Sequence, residues 1–212
     1  PYLKEGENKL AAQVFKWTCS SWCEDQDFFR FSGIYRDVYL YAIPEVHVSD
    51  VKIQTLLDDT FTKADLVIDT KATKAGKVKI TLSKDGEELQ SVEETLEEES
   101  QYVMKVENPE LWSAESPVLY DLLLEVMDEN GQVTEVIPQR VGFRRFEMKD
   151  SIMMLNGKRI VFKGVNRHEF SSVSGRVVSR EELVKDLVTM KQNNINAIRT
   201  CHYPDAVGIY EL

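Results

Sequence analysis

The stretch that decides the fold is residues 77–86, KVKITLSKDG, in which polar and apolar side chains alternate before a turn pair. Alternation with a period of two predicts a β-strand with one buried face. Asp85-Gly86 tolerates positive φ at both positions and predicts a tight hairpin turn, as does Asn130-Gly131. Strands are predicted at short, regular spacing, and several of them show this alternation: 46–57, 61–70, 76–83, 92–96, 102–106, 119–127 and 134–138. About seven short antiparallel strands in roughly 100 residues predict an immunoglobulin-like β-sandwich.

The pattern changes on the N-terminal side of the sandwich. Residues 10–17 and 38–43 are apolar and β-rich, and each is predicted to form a strand. Two strands do not make a stable domain by themselves. Residues 1–43 are therefore interpreted as the C-terminal part of a further β-domain, followed by the sandwich at 44–147.

On the C-terminal side, residues 148–212 change from strands to an α/β pattern. Asn156-Gly157 predicts a type I′ hairpin turn, and a strand is expected at 159–165. Ser179 and Glu182 form a capping-box signal for a helix running to about residue 193. A strand at 196–199 follows, so the segment is predicted to be a β-α-β unit with parallel strands.

Composition excludes several classes of partner. The net charge of -10 and the pI of about 4.9 argue against nucleic acid and anionic membranes as partners, and no apolar run is long enough for a membrane span.

Three sparse cysteines predict free thiols in a reducing compartment, which favours a cytoplasmic location. The first residue is Pro1, so the sequence is interpreted as cut from a longer protein, with an upstream signal peptide left open.

Polar clusters follow both predicted parallel strands, Asn166–Glu169 after the first and Arg199–Pro204 after the second. Carboxyl ends of parallel strands share one rim of a sheet, so His168 and His202 are expected to face one site. Imidazole, guanidinium and carboxylate groups can bind a polyol or a metal. A structural role stays open for each of them, as it does for His47, and a general-acid role stays open for Glu169.

Four stretches resemble motifs of the family 2 glycoside hydrolases, and they occur in that family's order along the whole chain: residues 24–38, 108–113 (NPELWS), 164–169 (GVNRHE) and 196–204 (NAIRTCHYP). The resemblance implies a mainly β fold in which an immunoglobulin-like sandwich is flanked by the end of a jelly-roll domain and the first β-α-β of a TIM barrel. It also implies a retaining β-galactosidase that acts on β-galactosides such as lactose.

The same resemblance implies roles for individual residues. His168 and His202 match histidines that hydrogen-bond galactose hydroxyls and stabilise the transition state. Asp27 matches an aspartate that binds the sugar and a sodium ion. Arg199 matches an arginine that supports a catalytic carboxylate, and Asn166 is grouped with it as substrate-binding.

The resemblance further implies what this chain lacks and what the longer protein has. The nucleophile and acid/base glutamates are expected on later barrel strands, so the fragment itself is expected to be inactive and to hold no cofactor. Magnesium and sodium are expected in the full-length enzyme, which is expected to be a homo-oligomer.

Two kinds of alternative function remain open. One is a β-glucuronidase or β-mannosidase of the same family, which a panel of glycosides would distinguish. The other is a non-catalytic β-sandwich module that binds glycans or proteins, which predicts no barrel motif and is therefore opposed by residues 196–204.

Overall fold

The structure, a computed structural model, describes residues 3–23 and 32–212 of the chain. The chain divides into two units, one formed by Tyr41–Phe162 and the other by Pro1–Leu40 together with Lys163–Leu212. Within the described residues, no helix is both long and apolar enough to cross a membrane.

The first unit contains the predicted immunoglobulin-like sandwich. Its seven strands are β1 (Val48–Leu57), β2 (Lys63–Ala72), β3 (Gly76–Lys84), β4 (Glu87–Leu96), β5 (Glu99–Glu107), β6 (Tyr120–Met127) and β7 (Val133–Val141). They form a three-stranded sheet in the order β1-β2-β5 and a four-stranded sheet in the order β4-β3-β6-β7. All the pairings are antiparallel. The predicted number of strands and the predicted architecture are confirmed.

Turn chemistry decides which sheet β4 joins. Asp85 and Gly86 both have positive φ, 51° and 86°, so a two-residue turn folds β4 directly back onto β3. At the second predicted turn only Gly131 has positive φ. There Asp128 Oδ1 instead accepts hydrogen bonds from the backbone N–H groups of Asn130 and Gln132, because the connection from β6 to β7 is longer than two residues.

The core lies between the two sheets and follows from the alternation in the sequence. Val78 and Ile80 on β3 are fully buried, and they meet Leu66 and Ile68 from the opposite sheet in one cluster. Phe143, which follows β7, is also fully buried. The polar residues that alternate with the buried apolar ones face outwards, because burial would deprive these side chains of their hydrogen bonds to water.

A small sheet completes this unit. It consists of β8 (Phe146–Lys149), β9 (Ile152–Leu155) and β10 (Lys158–Arg159), paired in the order β10-β9-β8. Asn156 and Gly157 have φ values of 50° and 73°, which confirms the predicted hairpin turn. The single strand predicted at 159–165 is wrong, because residues 158–159 pair with β9 whereas the next strand begins at Gly164 and pairs elsewhere.

The second unit carries the predicted β-α-β. It contains β11 (Gly164–Arg167), α1 (Arg180–Gln192), β12 (Ala197–Thr200) and a short α2 (Val207–Glu211). β11 and β12 pair in parallel, as predicted. Ser179 Oγ accepts from the backbone N–H of Glu182 and the Glu182 carboxylate accepts from that of Ser179, which confirms the capping box.

The two strands predicted near the N-terminus are not observed. In the described residues before β1, the regular element is a 3-10 helix at Cys19–Trp22, and residues 10–17 and 38–43 belong to no sheet. Their side chains are largely exposed, Leu10 at 73% and Tyr39 at 75%. A β-strand is stabilised by hydrogen bonds to a neighbour, so an apolar, β-rich composition alone does not form one.

Candidate functional site

The parallel pairing of β11 with β12 brings the two predicted histidines together. Gly164 to Arg167 lie opposite Ala197 to Thr200 in register, so both strands end at the same edge. His168 follows β11 directly, and His202 lies two residues beyond β12. Their ring centroids are 6.3 Å apart with an interplanar angle of 76°, and both rings are exposed. Two exposed imidazoles at this separation can each offer a hydrogen bond to one small polar ligand.

Tyr203 gives His168 a further partner. Its hydroxyl lies 3.3 Å from His168 Nδ1, and the two ring centroids are 6.1 Å apart. On the other side, the Arg176 guanidinium lies 4.0 Å from the centroid of the Tyr203 ring, a cation–π distance. Arg176 also donates from Nη2 to the Tyr35 hydroxyl at 3.2 Å. The orientation of the His168 ring is therefore supported by Tyr203, and Tyr203 in turn by Arg176.

The structure places Asn166 and Arg199 side by side. They are register partners on β11 and β12, and Arg199 Nη1 donates to Asn166 Oδ1 at 3.4 Å. Both side chains are exposed on the edge that carries the histidines. Their substrate-binding roles remain predictions. An exposed guanidinium held by a neighbouring amide can bind a carboxylate or a sugar hydroxyl.

Glu169 is buried rather than presented to a substrate. Its side chain is 2% exposed, and both carboxylate oxygens accept hydrogen bonds. Oε2 accepts from Arg36 Nη2 at 2.9 Å, and Oε1 accepts from the backbone N–H of Ala206 at 2.7 Å. A general acid must reach the substrate with a transferable proton. This geometry gives the open general-acid role of Glu169 no support.

A second buried ionic group lies behind the edge. Arg167 donates from Nη1 to Asp205 Oδ2 at 2.8 Å and from Nε to Asp186 Oδ2 at 3.1 Å. The Asp205 side chain is fully buried. Burial raises the pKa of Asp205, the negative charge of Glu169 raises it further, and the charge of Arg167 opposes both. Arg167 therefore links β11 to α1 and to the segment after β12.

Sequence reasoning missed the residues that support this edge, above all Arg36, Arg176 and Asp205. Arg36 lies within one of the stretches that carry the family resemblance, but no local pattern connects it to Glu169, 133 positions away. A buried charged side chain needs a partner of opposite charge, and this rule could have predicted such contacts. The rule can be applied only when it is known which charged side chains are buried.

In the described part of the chain, no group of three or more His, Cys, Asp or Glu side chains is arranged to hold a metal ion. The predicted sodium ligand and sugar-binding residue, Asp27, lies outside the described residues.

Comparison with known proteins gives matches along the chain. Residues 1–44 match a family model described as "Glycosyl hydrolases family 2, sugar binding domain". Residues 46–144 match "Glycosyl hydrolases family 2", and residues 146–212 match "Glycosyl hydrolases family 2, TIM barrel domain".

Individual proteins that are similar to this chain are also glycosidases. A β-galactosidase of Halalkalibacterium halodurans is 48% identical over 218 residues, which cover 100% of this chain and 22% of that protein. A β-galactosidase of Streptococcus thermophilus is 49% identical over 216 residues, covering 100% and 21%. The solved apo structure of Bacteroides uniformis β-glucuronidase 3 superposes with a TM-score of 0.79 and 29% identity, covering 88% of this chain and 24% of that one. The chain thus spans less than a quarter of the length of these relatives.

Proposed function

Because the chain belongs to glycosyl hydrolase family 2, we propose that the full-length protein is a retaining β-galactosidase. Its substrates are terminal, non-reducing β-D-galactosides such as lactose. The observation that carries the proposal is the pair His168 and His202, 6.3 Å apart at the ends of two parallel strands. Active sites of barrel enzymes lie at this end of the strands.

In the proposed mechanism the histidines bind the sugar and other residues perform bond cleavage. A retaining glycosidase needs two carboxyl groups about 5–5.5 Å apart, one as nucleophile and one as acid/base. We assign both to parts of the protein outside this chain, which is consistent with the much greater length of the relatives. Glu169 does not suit either task, because it is buried and both of its oxygens accept hydrogen bonds.

The histidines contribute by binding the transition state more tightly than the substrate. The sugar ring flattens as it approaches the oxocarbenium-like transition state, and its hydroxyl groups shift. Hydrogen-bond donors that are held where the hydroxyl groups lie in the transition state therefore bind it more strongly than the substrate. Preorganisation matters here, because donors that are already oriented lose little freedom during the reaction. The contacts of His168 with Tyr203 and of Tyr203 with Arg176 provide such support.

Galactoside is favoured over the other sugars that this family hydrolyses. The relatives named β-galactosidase are 48% and 49% identical over the whole chain, whereas the β-glucuronidase structure is 29% identical. A β-glucuronidase is the second candidate, supported by the TM-score of 0.79. A non-catalytic sandwich module is not favoured, because residues 146–212 match the barrel domain.

The remaining proposals concern cofactors and setting. We propose sodium bound through Asp27, magnesium bound by residues outside this chain, and a homo-oligomeric enzyme in the cytoplasm. All three cysteines are free thiols, which supports a reducing compartment. Sodium would supply a positive charge near the sugar hydroxyls.

A panel of nitrophenyl glycosides tests the proposed function. The full-length protein is assayed with the β-galactoside, β-glucuronide and β-mannoside, and kcat/KM is compared. We expect the galactoside to be preferred. The isolated 212-residue chain is the matched control and should show no turnover. A preference for the glucuronide would overturn the proposal, and turnover by the purified chain would overturn the assignment of the carboxylates.

A further inference from the structure

The two segments that carry the histidines are joined by one buried carboxylate. Glu169 follows His168 directly in the sequence. Its Oε1 accepts from the backbone N–H of Ala206, four residues after His202, at 2.7 Å. The side chain of Glu169 therefore ties the segment after β11 to the segment after β12, beyond the point where the two strands stop pairing at Arg167 and Thr200.

The guanidinium of Arg36 reinforces this link. Arg36 Nη2 donates to Glu169 Oε2 at 2.9 Å and to the backbone oxygen of Pro204 at 2.7 Å, so it contacts both segments at once. Arg176 Nη1 donates to the backbone oxygen of Glu169 at 3.1 Å. The carboxylate is almost fully buried while the Arg36 side chain is 42% exposed. A buried carboxylate is tolerated only when such partners satisfy it.

These contacts indicate that Glu169 has a structural role and does not take part in bond cleavage. An ionised carboxylate accepts hydrogen bonds through both oxygens, and here each oxygen faces a donor. Instead, the carboxylate joins the backbone that follows His168 to the backbone that follows His202. The separation of His168 and His202 depends on that backbone, since β11 and β12 each end before the histidine they carry.

We propose that Glu169, with Arg36 as its charge partner, is a positioning residue that sets the spacing of His168 and His202 and acts on catalysis only through them. The inference rests on the proposed function, because it assumes that both histidines contact the sugar. It adds a residue of the N-terminal segment, Arg36, to the set that shapes the active site.

The size of the expected effect follows from the geometric demands of catalysis. A misplacement of about 1 Å, caused by a change away from the reacting atoms, can cost about a hundredfold in rate. Glu169→Gln replaces one acceptor oxygen with an NH₂ group, which must face either the Arg36 guanidinium or the Ala206 N–H. One of the two links is therefore lost while the size of the side chain is kept.

The test is a comparison of two backgrounds in the full-length enzyme. Glu169→Gln is made in the wild type and in the double variant His168→Ala/His202→Ala, and kcat/KM for nitrophenyl galactoside is measured. We expect a loss of about tenfold to a hundredfold in the wild-type background. In the background without the histidines, we expect the same substitution to cost less than about twofold, because changes that act through one unit are not additive.

A second variant keeps the proposal testable if Glu169→Gln does not fold. Arg36→Met removes the contacts of Arg36 with Glu169 and with Pro204 by a change at a side chain that is 42% exposed, and we expect the same non-additive pattern. Glu211→Gln is the matched control, since Glu211 forms an exposed pair with Arg180 at 3.6 Å in the same unit. It should change kcat/KM by less than about twofold in both backgrounds.

The outcomes separate this proposal from the proposed function. If the wild-type enzyme prefers another glycoside, the proposed substrate is wrong, and the same comparison is made with the preferred glycoside. If Glu169→Gln and Arg36→Met lower kcat/KM equally in both backgrounds, or in neither, the positioning role is refuted and the proposed function stands. Loss in the wild-type background alone supports it.

Discussion

The hydroxyl of Tyr203 lies 3.3 Å from Nδ1 of His168, although 35 positions separate the two residues in the sequence. Tyr203 directly follows His202, so the residue next to one histidine contacts the other. The hydrogen bond at one ring nitrogen of a histidine determines which nitrogen carries the proton. If the Tyr203 hydroxyl donates to Nδ1, then Nε2 of His168 carries the proton and is the donor available to a sugar.

Tyr203→Phe in the full-length enzyme tests this arrangement. The phenylalanine ring keeps the packing against Arg176 and His168 but removes the hydroxyl, so His168 is free to exchange tautomers. We expect kcat/KM to fall by up to about tenfold, the value of one neutral hydrogen bond. Nitrogen NMR shifts of His168 should change from a single tautomer to a mixture. Tyr210→Phe, whose hydroxyl accepts from the Asp205 N–H, is the control and should leave the His168 spectrum unchanged.

The two histidines themselves should act mainly on the transition state. His168→Ala or His202→Ala should lower kcat/KM by about 2–4 kcal/mol, the range for losing a preorganised donor. His47→Ala is the control: His47 Nδ1 contacts Glu135 at 2.9 Å within the sandwich unit. That variant should lose stability but keep its kcat/KM. A loss below about tenfold in both site variants would contradict the assigned role.

The predicted sodium site depends on Asp27. Asp27→Asn removes a charge that favours an oxygen-bound cation, and we expect a higher KM for galactosides and a weaker response to added sodium. The measurement is a titration of activity with sodium at constant ionic strength, with potassium as the control salt. An unchanged sodium dependence in the variant would remove Asp27 from the site.

The sandwich core should be sensitive to the loss of Phe143. This ring is fully buried, and it packs edge-to-face against Tyr120 with centroids 4.9 Å apart. Phe143→Ala should lower the free energy of unfolding by about 3–5 kcal/mol, because it leaves a cavity as well as removing apolar contacts. The change in the free energy of unfolding is measured by urea unfolding of the 212-residue chain. Phe146→Ala, at a position 52% exposed, should cost far less.

The turn between β1 and β2 should make stability depend on pH. A hydrogen bond from the Thr60 hydroxyl lowers the pKa of Asp58 most, and loss of solvation is the next largest effect and opposes it. Hydrogen bonds from the backbone N–H groups of Lys63 and Thr62, and the charge of Lys63, lower the pKa further. The folded-state pKa lies below the unfolded-state pKa, so the ionised form stabilises the fold. This stabilisation is complete above the unfolded-state pKa, about 3.9, and is lost as pH falls through the lower folded-state pKa.

Asp58→Asn should therefore lower Tm at neutral pH, because an amide offers a weaker acceptor than a carboxylate. The difference in Tm between the variant and the wild type should shrink as the pH falls below about 4. Asp50→Asn, at an exposed position on β1, serves as the control. A difference that stays constant across this pH range would show that Asp58 does not act through its charge.

Much of the fold was predictable because its signals are local. Alternating side chains predicted the seven sandwich strands, and Asp85-Gly86 and Asn156-Gly157 predicted two turns that the structure contains. Ser179 and Glu182 predicted where α1 begins. Each signal depends on residues a few positions apart, whose backbone angles and hydrogen bonds are set mainly by the local sequence. The strands predicted at 10–17 and 38–43 fail because a strand also needs a neighbour.

By itself, the sequence determined that a histidine follows each of the strands β11 and β12 within two residues, and parallel pairing was enough to place His168 and His202 at one edge. It did not determine what holds them there. The link from Arg36 to Glu169 spans 133 positions, and the contact between Tyr203 and His168 spans 35. Such contacts depend on how whole segments pack, and only burial makes the pairing of Glu169 necessary, because an exposed carboxylate can be satisfied by water.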